Sequence, residues 1–251
     1  MIGIFDSGVG GLTVLRALRT RLPSADVVYF GDTLNAPYGP RTRSELTRLT
    51  FTGLSLLERK GATSLISACN SVSASLAVSL IDALSVPHDR LIEMAAPAVR
   101  TLRDTPHRLM IAATEATIGS GLYQDAFAMV GKDVSAIALP ALAGAIEAGA
   151  DDAKIARIID DGFREVPLDF DALVLACTHY PLVADAFRSI LPGVALFDPA
   201  EAVAVAAEER LWPREAGDGT TRFLISRESP VFRQFVARLF PESAYTIEVL
   251  E

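Results

Sequence analysis

Short apolar runs alternate with longer segments of mixed polarity along the whole chain. The runs are four or five residues long and rich in Val, Ile, Leu and Phe, as buried strands are. They predict strands at residues 2–5, 26–30, 64–67, 91–94, 109–112, 134–138, 172–176, 194–197, 222–225 and 246–249. Helical spacing predicts helices at 10–22, 43–60, 71–84, 119–129, 140–148, 153–163 and 182–191. This alternation, with strands that are apolar on both faces, indicates an α/β fold with mostly parallel sheets.

The order of these elements divides the chain into two similar halves. Each half is expected to form a mostly parallel sheet flanked by helices. We predict one domain from residues 1–94 together with 206–251, a second from 95–205, and a crossover near 87–97. Because no long Gly-, Pro- or Ser-rich linker separates them, the halves are expected to share an interface. Residues 213–219 are polar and contain glycine, and predict an exposed loop.

Composition narrows the class of protein. Half of the 251 residues are hydrophobic, and the formal net charge is −8 with a pI near 5.0. A general nucleic-acid surface needs clustered Lys and Arg, so no nucleic-acid partner is expected. No apolar run approaches the ~18 residues of a membrane span, and the first residues do not resemble a signal peptide. We therefore expect a soluble, cytoplasmic protein with reduced thiols and no membrane partner.

Cys69 and Cys177 are the two cysteines of the chain, and each follows an apolar strand and an alanine. A polar residue comes next, Asn70 or Thr178. Matched thiols at two strand ends suit a site in which one thiol removes a proton from a carbon and the other returns one. Each cysteine also precedes a predicted helix, whose N-terminus favours the thiolate. Three alternatives stay open: small buried side chains, a disulfide, or a metal site that includes His179.

Two loops carry further polar groups at strand ends. Residues 6–12 read Asp-Ser-Gly-Val-Gly-Gly-Leu, so backbone N–H groups could approach an anion at the next helix. The alternative is that Asp6 caps that helix and the glycines only make a turn. The spacing matches neither the dinucleotide fingerprint nor the P-loop. Residues 31–40 form either an ordinary turn or a loop in which Tyr38 and the Gly39 amide close over a carboxylate.

Segments 6–11, 31–39, 68–71 and 177–181 together resemble those of the glutamate racemases, cofactor-independent enzymes of the aspartate/glutamate racemase superfamily. The resemblance covers essentially the whole chain. It implies two pseudo-symmetric α/β domains with the active site in the interdomain cleft, and no cofactor or metal. It also implies a small amino-acid substrate, racemisation that supplies D-glutamate for peptidoglycan, and a homodimer in some members.

The resemblance also implies which residues form the site. The catalytic residues it implies are Cys69, Cys177, Asp6, His179 and Glu147. The substrate-binding residues it implies are Asp6, Ser7, Tyr38, Gly39, Asn70, Ser71, Thr114, Thr117, Thr178 and His179. Four places depart from the family pattern: Ser71 stands where Thr is usual, Ala113 and Ala176 where Gly is usual, and Leu139-Pro140 where Cys-Pro is frequent. Ser71 keeps the hydroxyl, whereas the methyl group of Ala176 is expected to crowd the backbone near the pocket.

Other functions fit the same fold. One alternative is an aspartate racemase, or another amino-acid racemase or decarboxylase that uses a single thiol. A second is a binding protein with weak or no catalysis. The presence of both cysteines favours two-base chemistry over single-thiol relatives.

Overall fold

A computed structural model describes residues 1–73, 84, 86–241 and 244–250 of the chain. Within these residues every predicted strand is present, with ends shifted by at most two residues. The strands are β1 (Ile2–Asp6), β2 (Val27–Gly31), β3 (Ser64–Ser67), β4 (Leu91–Ile92), β5 (Leu109–Ala113), β6 (Ser135–Ala138), β7 (Ala172–Leu175), β8 (Ala195–Phe197), β9 (Thr221–Ile225) and β10 (Tyr245–Val249). The short apolar runs are therefore a reliable guide to this fold.

The strands form two parallel sheets, one in each of two α/β domains. The first sheet has the order β10-β9-β2-β1-β3-β4 and the second β6-β5-β7-β8. Every pairing between named strands is parallel. Parallel strands end at the same edge of their sheet, so β1 and β3 bring Asp6 and Cys69 to one edge. In the second sheet, β5 and β7 bring Thr114 and Cys177 to one edge in the same way.

Helices flank both sheets. They span Leu12–Arg21, Arg43–Arg59, Asn70–Ser73, Ala95–Leu102, Glu115–Gly119, Leu122–Met129, Leu142–Glu147, Asp152–Phe163, Ala184–Ile190, Pro199–Leu211 and Pro230–Leu239, with 3-10 turns at His88–Arg90 and Tyr180–Val183. The predicted helix 71–84 lies mostly outside the described residues. The predicted helix 119–129 is wrong at its start, because Gly121 adopts a positive φ of 71° and separates two helices.

Several helices were not predicted from the sequence, and the helix Pro199–Leu211 shows why. Alanine and valine side chains are buried on most of its faces, so it lacks the polar stripe that marks a surface helix. It packs against both Leu12–Arg21 and Ala95–Leu102, one helix from each half of the chain. The predicted boundary at 205/206 falls inside this helix, and the domain limits stay a prediction.

One large apolar cluster joins the two halves. It contains Ile4 and Leu12 from the first half and Leu142, Leu173 and Tyr180 from the second. This shared core holds the two sheet edges against each other. The segment 213–219 is largely exposed, as predicted, although Glu215 is buried and accepts a hydrogen bond from Thr63 at 3.0 Å. No helix among the described residues is long and apolar enough to cross a membrane.

Candidate active site

The two cysteines line one small pocket at the meeting edges of the sheets. Both are buried free thiols. The pocket is lined by Ser7, Pro37, Tyr38, Gly39, Cys69, Asn70, Ser71, Thr114, Ala143, Cys177, Thr178 and His179. Three more predicted residues, Asp6, Glu147 and Thr117, lie behind this lining and bond to it. The pocket holds about 10 Å³, roughly the room of one water molecule.

Asp6 joins the glycine loop to the second half. Its Oδ1 accepts a hydrogen bond from the Gly8 amide at 2.9 Å, and its Oδ2 accepts one from the Thr178 hydroxyl at 3.0 Å. The following helix begins after Gly11 with no side-chain cap. The alternative in which Asp6 caps this helix is therefore wrong. Asp6 makes no hydrogen bond to Cys69, so it acts on that thiol through its charge.

The glycines of this loop allow the two halves to touch. A Cβ atom at Gly10 would lie 2.4 Å from Thr178 Oγ1 and 2.6 Å from His179 Nδ1. One at Gly8 would lie 2.3 Å from a carboxylate oxygen of Glu147. Side chains at these positions would separate Asp6 and Ser7 from the second half of the pocket.

Glu147 and His179 form a chain that ends at Cys177. The Glu147 carboxylate accepts hydrogen bonds from the Val9 amide at 3.0 Å and from His179 Nε2 at 2.7 Å. His179 Nδ1 lies 3.9 Å from Cys177 Sγ. Burial alone lowers the pKa of His179, but its hydrogen bonds with Cys177 and Glu147 outweigh burial and hold the pKa well above its ordinary value. The His179 ring is therefore a charged imidazolium that lies between the Cys177 sulfur and the Glu147 carboxylate.

Cys69 has a different environment. Its sulfur lies 3.9 Å from Ser7 Oγ. Burial and then the charge of Asp6 raise the pKa of Cys69 to about 12, although the Val72 amide at the helix start lowers it. The expectation that the helix favours a thiolate is therefore wrong for Cys69 in the protein without substrate, because burial and Asp6 outweigh the helix. This residue is held as the neutral thiol.

The raised pKa of Cys69 makes stability depend on alkaline pH. An unfolded thiol titrates near 8.5, so between about pH 8.5 and 12 the folded state binds more protons than the unfolded state. The free energy of unfolding therefore falls as pH rises through this window. Between pH 7 and 10, the unfolding free energy of the unmodified protein is expected to fall by about 2 kcal/mol more than that of the Cys69→Ala variant. Urea unfolding at both pH values measures this, and parallel pH profiles for the two proteins would contradict it.

Asp32 is a buried residue of the site that the sequence analysis missed. It accepts hydrogen bonds from the Tyr38 hydroxyl at 2.6 Å, from Asn35 at 2.9 Å and from Ser226 at 2.7 Å. These contacts fix the loop that carries Gly39, whose missing side chain lets it approach Thr114. The Tyr38 hydroxyl is thus already bound to Asp32. The sequence did carry a signal for Asp32, because this residue directly follows strand β2, much as Asp6 ends strand β1.

Hydroxyl groups close the pocket on the remaining side. Ser71 Oγ lies 2.9 Å from Thr114 Oγ1, which in turn lies 3.1 Å from Thr117 Oγ1. Ala176 lies in the apolar cluster of the second half and is not among the residues that line the pocket. Among the described residues, no group of three or more His, Cys, Asp or Glu side chains could hold a metal ion.

Comparisons with known proteins agree with this geometry. Residues 13–207 match the Asp/Glu/hydantoin racemase family, and the chain belongs to this family. A glutamate racemase of Thermus thermophilus is 38% identical over 245 residues, which cover 95% of this chain and 91% of that protein. The protein is therefore an amino-acid racemase, an isomerase.

Solved structures resemble the whole chain. A glutamate racemase isoform from Bacillus anthracis matches with a TM-score of 0.88 at 27% identity, over 100% of this chain and 97% of that one. A glutamate racemase from Francisella tularensis, solved in complex with D-glutamate, matches with a TM-score of 0.87 at 25% identity and the same coverage. The two-domain fold is thus that of known glutamate racemases.

Proposed function

We propose that this racemase interconverts L- and D-glutamate with two thiols as the acid and the base. The observation that carries the proposal is that Cys69 and Cys177 line one pocket from opposite halves of the fold. A base on each side of a carbon can remove a proton from either enantiomer. The relatives named glutamate racemase support glutamate as the substrate.

The reaction needs one thiolate and one thiol at a time. The thiolate sulfur takes the α-proton, and the electron pair of the broken C–H bond passes onto the substrate carboxylate. The opposite thiol then gives its proton to the other face of the carbon and becomes the thiolate. Hydrogen-bond donors must meet the charge that develops on the carboxylate, and Asn70 and Ser71 are neutral donors beside the thiols, whereas the Thr178 hydroxyl already donates to Asp6.

The residues that assist the two thiols differ. The imidazolium of His179, held by Glu147, can donate to a sulfur anion at Cys177. Cys69 has Ser7 beside it, and burial together with the charge of the nearby Asp6 carboxylate keeps Cys69 a proton donor until substrate arrives. The substrate ammonium group brings a positive charge that offsets Asp6. Because the pocket holds only about 10 Å³, the residues that line it must move apart to admit an amino acid.

The wider role is part of the proposal. D-glutamate made by this enzyme would supply peptidoglycan synthesis in the cytoplasm, without a cofactor. We also propose the domain limits 1–94 with 206–251 and 95–205, and a homodimer in solution. An aspartate racemase is the second candidate, and the assay below separates the two.

Circular dichroism of L- and D-glutamate solutions tests the proposal. After dialysis against a chelator, the purified protein is expected to racemise both enantiomers without added cofactor. The kcat/KM for glutamate should exceed that for aspartate at least about tenfold, which needs only ~1.4 kcal/mol of discrimination. Equal or faster turnover of aspartate would refute glutamate as the substrate. Activity that returns only with metal or pyridoxal phosphate would refute the cofactor-free mechanism.

A further inference from the structure

Asn70 lines the thiol pocket, and half of its amide group is unpaired among the described residues. The side chain directly follows Cys69 and is 2% exposed. Its Nδ2 is one of the few buried side-chain atoms that lack a hydrogen-bond partner within the described residues. A buried donor without a partner is costly unless a ligand satisfies it.

The other half of the amide is held by Tyr123. The Tyr123 hydroxyl donates to Asn70 Oδ1 at 2.6 Å. Tyr123 belongs to the second half, on helix Leu122–Met129, and is fully buried in an apolar cluster with Ala113, Phe127 and Ala176. The contact therefore crosses between the two halves beside the pocket.

This hydroxyl keeps its proton at any working pH. Burial raises the pKa of Tyr123 well above its ordinary value, and the charges of Glu93, Asp198 and Cys177 raise it further. The O–H group therefore always needs an acceptor, and Asn70 Oδ1 is the acceptor that the structure provides. An amide NH₂ group cannot accept this bond.

The orientation of the amide matters for a carboxylate ligand. With Oδ1 bound to Tyr123, Nδ2 is left as the unpaired donor of a residue that lines the pocket. A flipped amide would instead present its carbonyl oxygen to an anionic ligand and repel it. We propose that Tyr123 is a positioning residue that fixes this orientation, so that Asn70 Nδ2 donates to the carboxylate of the substrate. The inference rests on the proposed function, since it needs a carboxylate substrate in this pocket.

A double-mutant cycle tests the role of Tyr123. Tyr123→Phe is expected to lower kcat/KM for glutamate about tenfold, mainly through a higher KM, because the amide can then flip. Asn70→Ala is expected to cost at least as much. In the Asn70→Ala background, Tyr123→Phe should cause no further loss, since Tyr123 acts only through Asn70. Multiplicative effects of the two substitutions would overturn the proposal.

Tyr180→Phe is the matched control. Tyr180 is also fully buried, and its hydroxyl donates to the Leu139 carbonyl at 3.1 Å and not to Asn70. Any change in kcat/KM that Tyr180→Phe causes should be the same in the unmodified protein and in the Asn70→Ala background. Thermal unfolding of each variant checks that the fold is kept.

A crystal structure of the unmodified protein with D-glutamate gives a second measurement that needs no variant to fold. We expect a carboxylate oxygen within ~3.2 Å of Asn70 Nδ2, with Oδ1 still bound to Tyr123. A carboxylate with no contact to Nδ2 would overturn the proposal. Absence of glutamate racemisation by the unmodified protein would refute the proposed function, whereas an active protein with a multiplicative cycle would refute the positioning role alone.

Discussion

Cys69→Ala and Cys177→Ala are each expected to lower kcat for glutamate racemisation by about 10²–10⁴-fold, the usual contribution of a positioned acid or base. Each substitution removes the proton acceptor for one enantiomer and the proton donor for the other. Both directions of the reaction therefore fail in both variants. Circular dichroism of L- and D-glutamate solutions measures the loss.

The two variants should differ in which enantiomer they still activate. Each keeps one thiol, so each is expected to exchange the α-proton of one enantiomer with D₂O, and the two preferences should be opposite. Ser67→Ala is a suitable control, since Ser67 ends β3 two residues before Cys69 and its buried hydroxyl has no hydrogen-bond partner among the described residues. Full racemisation by either cysteine variant would show that the thiols are only buried side chains.

Gly10→Ala is expected to lower kcat/KM by about 10²-fold, the cost of misplacing reacting groups by about 1 Å. A methyl group at this position would lie 2.4 Å from Thr178 Oγ1 and 2.6 Å from His179 Nδ1, so the two halves must move apart. Gly10 does not have a positive φ, and alanine is not strained there by its backbone. The effect is therefore steric, and steady-state kinetics with D-glutamate measures it.

Gly119→Ala is the matched control for this substitution. Gly119 also has no positive φ, and a Cβ atom there would have nothing within 4 Å. We expect it to keep the activity of the unmodified protein. A Gly10→Ala enzyme as active as the Gly119→Ala enzyme would mean that the glycine loop does not need to approach Thr178 and His179.

The sequence predicted the fold well where burial follows a simple pattern. Most strands are buried short apolar runs that length and composition locate, whereas β6, β8 and β10 lie at sheet edges and are partly exposed. The helix Pro199–Leu211 was missed because it is packed on most sides and lacks an amphipathic pattern. The break at Gly121 was missed because a glycine inside a helical pattern does not reveal its φ.

The site was only partly predictable from local sequence. Cys69 and Cys177 carry a signal because each follows a strand, and parallel strands end at one sheet edge. Glu147 has no local sequence signal, because it lies at the end of an apolar helix. Its hydrogen bonds with Val9 and His179 form only when the two halves meet. Tyr123 has no sequence signal either, since its partner Asn70 is 53 residues away. Contacts between the halves therefore supply what local patterns could not.

The distribution of deuterium at the α-carbon tests the two-thiol account most directly. The unmodified protein, freed of metal and cofactor, is given L-glutamate in D₂O, and both enantiomers are analysed after a few per cent conversion. The account predicts deuterium at the α-carbon of the D-glutamate product while the remaining L-glutamate keeps its proton, because the two faces are served by different thiols. Equal deuterium in both enantiomers from the first turnovers, or product that retains the original proton, would contradict it.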